Sequence, residues 1–143
     1  MSHAFVKNHI HLVLGTKNRT TMIPRDVQPN LWSYLAGICR NQGMAAIAIN
    51  GMEDHAHLLF HLPPIMSLAK AVQLLKANSS KWMNEHGQRF AWQEGYSAFS
   101  VSISNTATVA QYIRNQEQHH RKMTFEQEYR ALLQKHGVER DVD

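Results

Sequence analysis

Asp54-His55-Ala56-His57-Leu58-Leu59-Phe60 is a strand-like run that carries two histidines one residue apart. Side chains alternate faces along a strand, so His55 and His57 point one way while Ala56 and Leu58 point the other. Pro63-Pro64 ends the run. Before it, Met44 to Asn50 alternates in small apolar residues, and Gly51-Met52-Glu53-Asp54 is a short connection, so the pair predicts a β-hairpin. Further upstream, Phe5 to Leu14 alternates as a strand, with Ile10, Leu12 and Leu14 on one side and His9, His11 and Val13 on the other.

Helical spacing fills the gaps. Val27, Leu31, Tyr34, Leu35 and Ile38 predict a helix over about 25–42, opened by Pro24 and stopped by Gly43. Ser67 is a good N-cap for a helix over about 68–86, whose buried stripe is Leu68, Val72, Leu75 and Trp82. Residues 98–104 alternate as a fourth strand, after a loop in which Phe90 and Trp92 are packing residues. Asn105 can cap a helix over about 106–119, and Thr124 a last one to His136. The order is β-α-β-β-α-β followed by two helices. With right-handed crossovers this is an α+β, ferredoxin-like sandwich: a four-stranded antiparallel sheet with two helices on one face, plus C-terminal helices. Ala56, Leu58, Phe60 and Leu62 suit the helix-covered face. His55, His57 and His61 are then expected on the free face, where the 106–119 helix could lie.

Composition bounds the function. A length of 143 residues fits one domain, residues 1–143, with a real core. No apolar run approaches the roughly 20 residues of a membrane span. The N-terminus lacks a signal-peptide core, and Cys39 is alone, so the expectation is a cytoplasmic protein without a disulfide. Net charge is +4, with 12 Lys/Arg against 6 Asp/Glu in residues 1–122 and 3 against 5 in 123–143. A pI near 9.4 and a basic main body fit a polyanion such as nucleic acid.

Two imidazoles on one strand face can hold one cation. Neutral imidazole binds Mn, Zn, Fe or Ni, and a carbonyl oxygen as third ligand draws the preference toward Mg²⁺ or Mn²⁺. Tyr112-Ile113-Arg114-Asn115-Gln116 sets a hydroxyl and an amide four residues apart, one helical turn on the same face. A phenol with a pKa near 10 attacks poorly at neutral pH unless its target is polarised, which a divalent ion can do. On these residues alone Tyr112 reads either as a structural helix tyrosine or as a candidate nucleophile, and Gln116 either as an exposed helix residue or, through its amide oxygen, as a candidate third metal ligand beside His55 and His57. Lys17, Arg19, Lys76, Lys81 and Arg114 are candidate phosphate contacts. His9 and His11 read as structural or at most as backing the metal pair, and His119-His120-Arg121-Lys122 as a solvated basic end or a DNA-backbone contact. No phosphate-cradling glycine loop and no Ser-His-Asp pattern stands out.

His55-Ala56-His57 among apolar residues, followed by Tyr112-x-x-x-Gln116, resembles the HUH endonucleases with one catalytic tyrosine. More narrowly, the chain is similar to the small transposases of bacterial insertion sequences and their REP-associated relatives. His11 to Arg19, Trp92 to Tyr96 and Phe99-Ser100-Val101 carry the likeness over nearly the whole length. The resemblance implies that His55, His57 and Gln116 bind Mg²⁺ or Mn²⁺ and that Tyr112 attacks single-stranded DNA at element ends bearing hairpins. It implies a 5′-phosphotyrosine link, a free 3′-OH, later rejoining, and a homodimer near the nucleoid. Ala56 departs from the bulkier apolar residue usual there. Rival readings are a domesticated relative acting on genomic hairpins, a non-catalytic nucleic-acid-binding module, and a metal hydrolase that does not use its tyrosine covalently.

Overall fold

A computed structural model describes residues 4–138. Four strands, β1 (His9–Gly15), β2 (Ala46–Met52), β3 (His55–His61) and β4 (Ser97–Val101), form one sheet in the order β2-β3-β1-β4, every neighbouring pair antiparallel. Helix α1 (Gln28–Asn41) links β1 to β2, and α2 (Leu68–Glu85) links β3 to β4. The expected βαββαβ sandwich is therefore the observed architecture.

Alternation decides the layers. Ile10, Leu12 and Leu14 of β1 share a face with Ala56, Leu58 and Phe60 of β3, and Leu31, Leu35, Ile38, Val72 and Leu75 from α1 and α2 close over them. Burying each such side chain stabilises the fold by about 1.5–3 kcal/mol, which makes this layer the main core. Ala56 is fully buried within it. Ser67 caps α2 by accepting from the Lys70 N–H, as its position before the apolar run suggests.

The opposite face is not free. Helices α3 (Thr106–Arg114), α4 (Gln116–His119) and α5 (Phe125–Lys135) follow β4 and cover it. Ala110 and Ile113 of α3 pack on Ala48 and Leu59, while Phe125, Leu132 and Leu133 of α5 pack on Val13 and Phe99. An apolar residue at Leu59, Val13 and Phe99, each pointing with the histidines, demands that cover. Several boundaries differ from the sequence expectation: β4, expected over 98–104, runs Ser97–Val101, and β2 extends through Gly51 and Met52, which leaves Glu53 and Asp54 as the turn. β1 begins at His9 rather than Phe5, which is 97% exposed. Pro24 opens a turn, and Pro29 stands at the start of α1 proper. The helix expected over 106–119 breaks at Asn115 into α3 and α4.

The β2–β3 hairpin leaves no room at Gly51, which pairs with Ala56. A Cβ there would sit 2.1 Å from the His55 carbonyl oxygen and 2.9 Å from the Ala56 Cα, both backbone atoms. Gly51→Ala should therefore lower unfolding stability by about 2 kcal/mol or more, read from the chemical denaturation midpoint. A loss below about 0.5 kcal/mol, the size of an ordinary surface change, would show that the hairpin can widen.

Candidate metal and tyrosine site

β3 delivers His55 and His57, both fully buried, to the face beneath α3–α5. A buried imidazole needs partners for both ring nitrogens. His55 finds Asp54 Oδ1 at 2.7 Å from its Nδ1, and Gln116 Oε1 at 2.8 Å from its Nε2. His57 Nδ1 lies 2.9 Å from the Nε2 of His11, its diagonal neighbour on β1, where Val13 pairs directly with His57. The remaining direction from both rings leads to one carboxylate. Glu128 Oε1 stands 3.3 Å from His55 Nε2, 3.2 Å from His57 Nε2 and 2.9 Å from His120 Nε2. Its other oxygen accepts from the Gln116 amide at 2.9 Å and from the Tyr112 hydroxyl. All of these groups come from one chain.

The donor set suits a cation. One ligand atom from each of His55, His57 and Glu128 lies within 4.8 Å of the others, and all three residues are buried. Two ligand bonds of about 2.1 Å meeting at about 100° would hold their donor atoms about 3.2 Å apart, which is the spacing of the imidazole nitrogens and Glu128 Oε1. Two neutral nitrogens, one anionic oxygen and the Gln116 amide oxygen close by make a mixed N/O set suited to a divalent first-row ion.

Charge sets the resting protonation. Burial works against the ionised Glu128, but hydrogen bonds from His120, His55 and His57 hold its carboxyl well below the usual carboxylate range. Burial pushes the Tyr112 phenol up, and the Glu128 hydrogen bond and charge push it further, so the tyrosine keeps its proton. Burial would neutralise His55, yet hydrogen bonds to Asp54 and Glu128 hold its pKa up at about 9. Burial, and then the charge of His57, lower His11 to about 3.

Those two histidines predict a stability optimum for the metal-free protein. Between its ordinary value of 6.5 and about 9, His55 carries a proton in the folded chain that the unfolded chain has lost. That stabilisation, about 3 kcal/mol at most, is complete below pH 6.5 and is lost as pH rises through 9. His11 stays neutral when folded while the unfolded chain takes up a proton, so stability also falls as pH drops from 6.5 toward 3. The melting temperature should peak near pH 6.5, and Asp54→Asn should flatten the alkaline limb. An alkaline limb unchanged in Asp54→Asn would remove His55 as its source.

The structure thus gathers four residues singled out by sequence (Tyr112, Gln116, His55 and His57) around a fifth that sequence reasoning missed. Glu128 lies three residues after Phe125 and four before Leu132, both buried, so it stands on the apolar stripe of α5. An acid on a buried stripe, in a chain with two buried histidines, was the available signal. His120 corrects an expectation: it does not belong to a solvated end, because its ring joins Glu128 and its side chain is 8% exposed.

The candidate phosphate contacts do not converge on this cluster. Arg19 pairs with Glu126 at 2.6 Å, and its guanidinium lies 5.5 Å from the centroid of the Phe125 ring, so it braces α5. Lys76 donates to the carbonyls of Gln93 and Gly95 at 2.7 and 3.2 Å. Lys76 and Lys81 ride on α2, across the sheet from the histidines. Arg114 reaches the Ile47 carbonyl at 3.4 Å, and Lys17 is exposed in the turn after β1.

A ferredoxin-like sheet with paired histidines facing a tyrosine helix is the HUH type of fold. The sequence matches the IS200-like transposase family over residues 4–116, and the chain belongs to that family. It is 27% identical to the transposase of insertion sequence IS200 from Salmonella typhimurium over 114 residues, covering 74% of each chain. It is 26% identical to the ISDra2 transposase TnpA of Deinococcus radiodurans, covering 74% of this chain and 81% of the relative. Among solved structures, a protein of Deinococcus radiodurans R1 assigned as a transposase superposes with a TM-score of 0.65 at 27% identity, over 81% of this chain and 95% of its own. A REP-associated tyrosine transposase bound to a REP hairpin shares the fold, with a TM-score of 0.63 at 14% identity, over 84% and 73% of the two chains. The family match stops at Gln116, so Glu128 and His120 lie beyond it.

Proposed function

We propose that this transposase cuts and rejoins single-stranded DNA at hairpin-bearing element ends, with the Tyr112 hydroxyl as nucleophile. The observation that supports this reading is the convergence of Tyr112, Gln116, His55 and His57 on one buried carboxylate. His55, His57 and Glu128 would hold a divalent ion, Mg²⁺ or Mn²⁺, with the Gln116 oxygen adjacent. When bound, such an ion supplies Lewis-acid polarisation of a phosphate oxygen and positive charge beside the developing phenolate. Asp54 and His11 fix the outer nitrogens of the two imidazoles and so aim the inner ones.

Tyr112 attacks the scissile phosphorus, and its proton passes toward Glu128 Oε2, the atom its hydroxyl already addresses. The bond from phosphorus to the 3′-oxygen breaks, and the departing oxygen takes up the proton that Tyr112 released, giving a 5′-phosphotyrosine and a free 3′-OH. Attack by another 3′-OH reverses the step and joins strands without ATP, because the phosphodiester bond energy is retained. Two copies of the chain acting together near the nucleoid complete the proposal, and light scattering at working concentration tests the dimer.

The test uses labelled single-stranded DNA carrying the flanking hairpins, with Mg²⁺ or Mn²⁺. The expected result is a protein–DNA adduct that survives denaturation and needs the ion. Tight binding with no adduct on any flanking hairpin, with either ion, would leave a binding module instead.

A further inference from the structure

Glu128 Oε1 is ringed by three imidazole nitrogens, not two. The Nε2 atoms of His120, His57 and His55 stand 2.9, 3.2 and 3.3 Å from it. His120 sits in the turn between α4 and α5, and its other nitrogen, Nδ1, lies 2.9 Å from the Met123 carbonyl oxygen. A carbonyl only accepts, so the Nδ1 proton is committed there and Nε2 faces the carboxylate. An outer nitrogen anchored on a carbonyl or a carboxylate is the usual support of a metal-ligating histidine. His55 has the same support, with Asp54 on its outer side. Each of these two rings therefore meets an acceptor at both nitrogens, an arrangement that wants positive charge between the rings and the carboxylate. One divalent ion supplies it, taking the three Nε2 lone pairs and Glu128 Oε1 together.

We propose that His120 is a fourth metal ligand, which closes the His55–His57–Glu128 site around a four-coordinate ion such as Zn²⁺ until a DNA phosphate displaces it. The proposal rests on the metal role given to His55, His57 and Glu128 above. Three imidazoles and one carboxylate suit a closed zinc-type site, whereas Mg²⁺ asks for an octahedron of oxygens and keeps several waters. Donors of a tetrahedral ion with bonds of about 2.1 Å stand about 3.4 Å apart, so the three oxygen–nitrogen separations need to open by about 0.5 Å at most. A catalytic ion keeps one position open for its substrate. Among the four ligands His120 is the one placed to yield it. His55 and His57 are fixed in a central strand, and Glu128 on a helix seated by Phe125 and Leu132. His120 comes from a turn and lines an open cleft of about 570 Å³, into which its ring can swing. Arg121 and Lys122 line the same cleft and are exposed, where their charge draws a strand phosphate toward the ion.

The first measurement counts bound histidines in the wild-type chain. Proton–nitrogen correlation spectra with one equivalent of Zn²⁺ should move three histidine Nε2 resonances into the metal-bound range. Two moved resonances, those of His55 and His57, would overturn the fourth ligand. Co²⁺ should give the intense visible bands of a four-coordinate ion, and His120→Asn should weaken those bands and bind Zn²⁺ roughly tenfold or more less tightly. Bands and affinity unchanged in His120→Asn would also overturn it. Adduct formation tests the displacement. At saturating Mn²⁺, His120→Asn should form the tyrosine adduct at least as fast as wild type, despite its weaker hold on the ion. A rate that falls in step with affinity overturns the displacement. Three zinc-bound histidines with no adduct on any hairpin DNA would overturn the cleavage reading, and the displacement with it, and uphold the four-ligand site. No binding of Zn²⁺ or Co²⁺ at all overturns the metal role of the cluster together with this proposal.

Discussion

Tyr112→Phe is expected to abolish the denaturation-resistant adduct while hairpin binding stays within about twofold. Removing the attacking atom of a covalent mechanism typically costs on the order of 10³-fold or more. The substitution deletes one oxygen and keeps the ring, which packs against His57 and His119, so the fold should survive. Loss of the Tyr112 hydrogen bond frees one oxygen of Glu128, which the Gln116 amide still satisfies. Retained cleavage without an adduct would point to hydrolysis by a water molecule, with Tyr112 as a bystander. Retained adduct would move the nucleophile to another residue.

The second large effect concerns Glu128. Its carboxylate gathers three imidazoles, an amide and a phenol, and Glu128→Ala strands those groups in a buried space. Removing one partner from a buried ion pair costs about 3–5 kcal/mol, so the metal-free variant should melt well below the wild type. Metal binding separates this structural loss from a ligand role. At a hundredfold excess over Kd, an ion held by the folded chain alone adds about 2.7 kcal/mol of stability. Wild type should show that gain with Mn²⁺, and calorimetry should give Glu128→Ala at least a hundredfold weaker binding. Gln116→Ala should lose less, because its amide oxygen carries no full charge. Equal Mn²⁺ affinity in wild type and Glu128→Ala would return the third ligand to Gln116 and leave Glu128 as a purely structural acceptor.

The histidine strand and the tyrosine turn were legible from local rules. Period-two alternation put His55 and His57 on one face, and a four-residue step put Tyr112 and Gln116 on another. Apolar spacing also determined which strand residues lie under α1 and α2, and the order of elements determined the sandwich. These properties depend on neighbours in sequence, which is why they can be read without coordinates.

What covers the second face was decided only by tertiary structure. Leu59, Val13 and Phe99 need apolar partners, but nothing in their own segments says that α3 covers Leu59 or that α5, more than twenty residues further along, covers Val13 and Phe99. Glu128 and His120 reach the histidines only once Phe125, Leu132 and Leu133 have seated that helix. The same docking consumed Arg19, whose basic charge looked available for phosphate until α5 brought Glu126 against it. Sequence by itself determined the sandwich and the paired histidines, because periodicity dictates which side chains share a face. Folding decided the carboxylate at their centre, because a contact across distant segments depends on how two apolar surfaces meet.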